Sequence, residues 1–110
     1  MDEIEVSEYE NDEGQNAYAK WLDGLSDAAH AKVDAAIALM KAGNFGDVKP
    51  EGQGVSARRI HWGPGLRIYF GKDGQKLVLL LGGGTKRRQD RDIKAAQKNW
   101  AEYKKNKRRK

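Results

Sequence analysis

A chain of 110 residues, 38% hydrophobic and 34% charged, is long enough for one folded domain around one modest core. It contains no cysteine, which excludes disulfide staples and thiolate zinc sites, and no apolar run approaches the roughly 18 residues of a membrane span. The net charge of +5 conceals a division: residues 1–54 carry 12 Asp/Glu against 4 Lys, or −8, whereas residues 55–110 carry 17 Lys/Arg against 4 Asp/Glu, or +13.

In chain order, Ile4 and Val6 alternate with acidic and polar neighbours over residues 2–9, the pattern of a short strand with one buried face. A helix is expected to start near Asp12, which can cap it, and to run past Tyr18, Trp21, Leu22 and Leu25, with Gly24 weakening its end. Ser26 reads as the next N-cap, with Asp27 well placed against the helix dipole. Ala29, Val33, Ala36, Ile37 and Met40 then recur at helical spacing, and Gly43 suits the C-cap. So short a connection predicts a helical hairpin. Residues 43–54, with four glycines and Pro50, read as a loop. Three strands follow, over about 55–62, 66–71 and 76–82, joined by hairpin turns at Gly63-Pro64-Gly65 and Lys72-Asp73-Gly74.

Leu66, Ile68 and Phe70 share one face of the middle strand of these three. Arg67 and Tyr69 share the other, where Arg59 and His61 of the preceding strand are expected to join them on a partly open surface. The run Leu77-Val78-Leu79-Leu80-Leu81 predicts a strand covered on both sides. The last segment, about 86–106, reads as a helix packing through Ile93, Ala96, Gln97, Trp100 and Tyr103, with a basic tail at 104–110 whose last four residues, Lys107-Arg108-Arg109-Lys110, fray. The expectation is one domain over 1–110, of α+β class and order β-α-α-β-β-β-α, with a small, mostly antiparallel sheet on a helical hairpin. The acidic start at Asp2, Glu3 and Glu5 is unlike a secretory signal, so a cytoplasmic protein without a membrane partner is expected.

The basic half suits a polyanion, because neutralised phosphates release their condensed counterions. Arg59 and Arg67 carry forks that match phosphate oxygens, and Tyr69 is a stacking residue for an unpaired base. Lys49, on the loop feeding the sheet, and Lys86, at the start of the last helix, bring further cations. Such a set suits RNA cleavage without metal or cofactor, since RNA supplies its own 2′-OH nucleophile. His61 is a candidate acid or base. His30 and His61 have no paired spacing, so no metal site is expected. Gly82-Gly83-Gly84-Thr85-Lys86 resembles part of a phosphate loop, but Arg87 occupies the place that the full motif gives to Ser or Thr. The glycines are more simply read as releasing the strand into the helix.

Three segments together resemble a known family. Asn44-Phe45-Gly46-Asp47-Val48-Lys49-Pro50, Val55-Ser56-Ala57-Arg58-Arg59-Ile60 and Gly63-Pro64-Gly65-Leu66-Arg67-Ile68-Tyr69-Phe70 are similar to the HigB-like addiction-module killer branch of the RelE/ParE toxin superfamily. The last strand and the stretch from Lys86 through Gln89-Asp90-Arg91-Asp92-Ile93 extend the resemblance to roughly residues 17–98. It implies a RelE-like fold and the toxin of a bacterial type II toxin–antitoxin system. The implied activity is ribosome-dependent, metal-independent mRNA cleavage. The implied partners are mRNA and the ribosome, a cognate antitoxin of helix-turn-helix type, and operator DNA through the antitoxin complex. Carried over by position, it gives a catalytic set of Arg59, Arg67, Tyr69, Lys86 and Lys49. Arg58, Arg87, Arg88, Arg91, Lys94 and Lys98 make the surrounding RNA- or ribosome-binding surface. The acidic residues 1–11, Arg58 and the basic tail depart from many relatives. A ParE-like inhibitor of DNA gyrase, or a non-catalytic RNA-binding or co-repressor module, is the alternative.

Overall fold

The computed structural model describes residues 3–108, so Asp2 of the predicted first strand and Arg109 and Lys110 of the tail lie outside it. The first strand is β1 (Glu5–Glu8), followed by helices α1 (Ala17–Asp23) and α2 (Asp27–Lys41), strands β2 (Val48–Pro50), β3 (Val55–Ile60), β4 (Leu66–Asp73) and β5 (Leu77–Thr85), a single 3₁₀ turn at Lys86–Arg88 and helix α3 (Gln89–Arg108). The five strands form one sheet in the order β1-β5-β4-β3-β2, antiparallel except where β1 joins β5 in parallel. The α+β class and the expected order hold, with one strand added.

Local chemistry sets the helix starts. Asn16, not Asp12, caps α1, its side chain accepting from the amide of Ala19 at 2.9 Å. Asn11 instead shapes the preceding turn, accepting from the amides of Glu13 and Gln15. Ser26 caps α2 as expected, through the amide of Ala29; Ala42 is the residue at its C-cap, with Gly43 beyond it at φ 91°. The expected 43–54 loop contains β2, an edge strand on which Pro50 is tolerated because one side of its backbone needs no ladder partner. Residues Lys107 and Arg108, read as frayed tail, continue α3.

The sheet is covered on both faces. On one, the stripes of α1 and α2 meet Leu66, Ile68, Phe70, Val78 and Leu80. On the other, α3 lays Ala96 and Trp100 over Val55, Ala57, Tyr69, Leu79 and Leu81. This second layer corrects the sequence expectation, which left that face partly open. Trp100 fits because the sheet offers it glycines: a Cβ at Gly71 would lie 2.6 Å from its ring, and one at Gly54 would lie 2.6 Å from its Nε1. Asn99 donates to the Leu81 carbonyl and Gln97 to the Glu51 carbonyl, so polar bonds fix the helix's rotation. At its far end Lys107 holds Asp73 at 2.7 Å, and the Tyr103 hydroxyl donates to the same carboxylate. Among the described residues no helix is long and apolar enough to cross a membrane.

Candidate functional site

The face under α3 changes character along its length. Register pairs Val55 with Gly71, Ala57 with Tyr69 and Arg59 with Arg67, and pairs Lys49 with Ala57. The first rows are apolar and shut beneath Trp100 and Ala96. The last row is the two arginines, beside the start of α3, where the helix no longer seals the sheet.

Arg59 is not free. Its Nη2 donates to Oδ1 of Asp47 at 2.8 Å, while Nε2 of His61 meets Oδ2 of the same carboxylate at 2.5 Å. The hydrogen bonds from Arg59 and His61 hold the Asp47 carboxyl down at about 2, against an ordinary 3.8. Strand β3 ends at Ile60, and His61 follows it directly; the backbone bond from the Arg59 amide to the Asp47 carbonyl brings the acid alongside both side chains. The side chain of His61 is 75% exposed, so its second ring nitrogen faces solvent.

Arg67 is only partly exposed, and its Nε and Nη1 are buried without a protein acceptor among the described residues. Tyr69, the expected stacking residue, is 0% exposed and its hydroxyl has no hydrogen-bond partner among the described residues. Burial, reinforced by the charge of Asp92 and opposed by Arg67, pushes its phenol up to about 12. In this conformation it can neither stack on a base nor exchange a proton with substrate. That corrects its expected role.

The other expected residues are dispersed. Lys49 is exposed at the sheet edge, in the row of Ala57 and Tyr69. Lys86 is exposed in the 3₁₀ turn; a Cβ at Gly65 would lie 4.0 Å from its own Cβ, so it stands beside the β3–β4 connection next to the arginine row. Arg58 shares a row with Val48 and Ile68 on the opposite face. It folds against Gly46 and donates to the Arg59 carbonyl at 2.5 Å, so it is separated from the binding surface assigned to it. Arg87, Arg88, Arg91, Lys94 and Lys98 are all exposed along the 3₁₀ turn and α3. They form a cationic ridge that continues from the arginine row.

Asp47 and Asp92 are the residues that the sequence did not single out. Asp47 stands inside the Asn44–Pro50 segment, yet a single acid among basic residues gives no periodic signal. Asp92 packs where a Cβ at Gly84 would lie 2.0 Å from its Oδ2, and burial raises its carboxyl against the pull of Arg91 and Arg88. The glycines of 82–84 thus admit neighbours to the strand as well as leading it into the helix. Chemically, the arrangement offers the partly exposed guanidinium of Arg67, that of Arg59 paired with Asp47, an exposed imidazole backed by the same carboxylate, and Lys86 beside them. An imidazole held this way has the geometry of a proton-transfer group.

No family model and no solved structure matches the chain. A protein of Haemophilus influenzae that carries only the description "Uncharacterized protein" is 42% identical to it over 80 residues, which span 72% of this chain and 81% of that protein. On that similarity, the chain belongs to the same family as the Haemophilus influenzae protein.

Proposed function

We propose that the protein is the toxin of a bacterial type II toxin–antitoxin pair, acting in the cytoplasm as a metal-independent endoribonuclease on ribosome-bound mRNA. The observation that carries this reading is the facing pair Arg59 and Arg67 at the unsealed end of the sheet, with His61 and Asp47 at one side and Lys86 at the other. The resemblance of the Lys49, Arg59 and Arg67 segments to the HigB-like branch of RelE/ParE toxins supports it independently of the geometry.

In this reading the arginines hold the scissile phosphate and oppose the charge that grows on it. His61 takes the 2′-OH proton as O2′ attacks phosphorus. The P–O5′ bond then breaks, and Lys86 or solvent protonates the leaving oxygen. The products are a 2′,3′-cyclic phosphate and a 5′-hydroxyl. The cationic ridge from Arg87 to Lys98 supplies general, salt-sensitive grip on a large RNA. A cognate antitoxin would neutralise the protein and act with it on operator DNA.

The burial of Tyr69 favours a second reading, in which the protein binds without cutting, as an RNA-binding co-repressor or a gyrase inhibitor. Mapping of transcript 5′ ends after brief induction separates the two. New ends at codons within translated messages are the expected result. Growth arrest with intact messages and DNA damage would favour gyrase inhibition, and RNA binding without new ends would favour the co-repressor.

A further inference from the structure

A trough of about 600 Å³ lies between α1 and α3, on the β5 side of the arginine row. Its floor is the end of β5 at Leu81, Gly82 and Gly83, and its walls include Trp21, Leu25 and Ala95. Two of the three consecutive glycines have a packing reason. A Cβ at Gly83 would lie 2.1 Å from the Trp21 ring and one at Gly84 would strike Asp92. Gly82 has none of this kind, since a Cβ there would meet Ala17 at an ordinary 3.9 Å and its φ is not in the left-handed region. The missing side chain at Gly82 leaves the floor bare where packing would accept a methyl group.

The rim is charged. Lys20, Arg88 and Arg91 line the trough, all three are exposed, and none has a carboxylate within ion-pair distance among the described residues. Asp92, the acid of the lining, is half-buried against Gly84. An apolar slot ringed by exposed cations, with one half-buried acid among them, complements one kind of ligand: an apolar side chain carried on an acidic backbone segment. A nucleic acid fits less well. Trp21 already lays its ring on the Gly83 backbone, and the floor presents no side-chain donor or acceptor for a base edge.

We propose that this trough is a docking site for an acidic peptide segment of a partner protein, anchored by an apolar side chain over Gly82. The proposal does not rest on RNA cleavage, although Arg88 and Arg91 also belong to the ridge assigned to RNA. The test is a ¹H–¹⁵N titration of the full chain with the probe peptide Glu-Asp-Leu-Leu-Glu-Phe-Leu-Asp-Glu, its twin with lysine at every acidic position, and a short oligouridylate. The expected result is saturable shifts at the amides of Gly82–Gly84 and the Trp21 indole with the acidic probe alone. Reversing the rim with Arg88→Glu and Arg91→Glu should weaken the probe by about tenfold or more. Ala95→Leu, an exposed helix position that keeps every charge, should do the same by filling the slot. Absence of shifts at millimolar acidic probe, equal binding of the lysine twin, or shifts at these amides with oligouridylate in place of the peptide would each overturn it.

Discussion

Arg59 and Arg67 stand directly opposite one another in the β3–β4 ladder, and Asp47 neutralises only Arg59. Like charges facing across a ladder oppose folding, so Asp47 has a structural duty as well as a place beside the candidate site. Its carboxyl lies at about 2 in the folded chain against an ordinary 3.8. A depressed value contributes stability that is fully present above pH 3.8 and is lost as pH falls toward about 2. Asp47→Asn should therefore be less stable than the parent at neutral pH, and the gap between the two should close at the acid end of that window. Denaturant titrations of both proteins across it would check this.

Arg67→Ala should reduce cleavage by about a hundredfold to a thousandfold, the usual effect of removing a group that stabilises transition-state charge. His61→Ala should reduce it too, because the exposed imidazole beside Asp47 is lost. Tyr69→Phe should leave cleavage unchanged, because the hydroxyl is sealed beneath α3. Loss of cleavage in Tyr69→Phe with an intact fold would show that α3 lifts during turnover.

The same hydroxyl is a buried group without a protein partner, and such a group costs stability. Tyr69→Phe should raise stability by about 1 kcal/mol. Equilibrium denaturation is the measurement.

All four tyrosines hold their phenols above the ordinary 10.0. Tyr18, Tyr69 and Tyr103 are pushed up to about 12, the first two chiefly by burial and Tyr103 chiefly by its bond to Asp73. Tyr9 is raised as well, again chiefly by burial. A raised value contributes stability that is fully present below pH 10 and is lost as pH climbs toward about 12. Tyrosinate absorbance should thus appear together with loss of ellipticity in one alkaline transition, with no free phenol titrating ahead of it.

Gly71→Ala drives a Cβ into the Trp100 ring. It should destabilise by about 1–3 kcal/mol, the range for overpacking a filled core. Trp100→Leu alone leaves a cavity, but it should partly rescue Gly71→Ala. A double-mutant cycle would expose that coupling.

The elements announced by side-chain periodicity were legible in the sequence. The α2 stripe, the Ser26 cap and the alternation of Leu66, Ile68 and Phe70 all stand where the spacing put them. What was not legible depended on space rather than on side chains. Tyr69 beside two arginines looks like a polar face. Whether it is open depends on Trp100 finding room at Gly54 and Gly71, and a glycine does not show what will occupy the room it leaves. Strand β2 has three residues, one of them proline, too few to set a period. The site was legible as residue types and partly as a pair, since Arg59 and Arg67 do meet. Asp47 was not, because its role comes from the register between β2 and β3.

The pairing of β1 with β5 joins Glu5 to Leu77 and Glu8 to Leu80, partners more than seventy residues apart in the chain. During synthesis the first strand emerges long before β5, its partner in the sheet, exists. Contacts that close so large a loop form late, so the hairpins β3–β4 and β4–β5, built from neighbouring residues, should nucleate the sheet and β1 should join last. Until then the acidic strand Glu5–Glu8 is a free extended segment, and the edge of β5 that will receive it is exposed to any strand that arrives first.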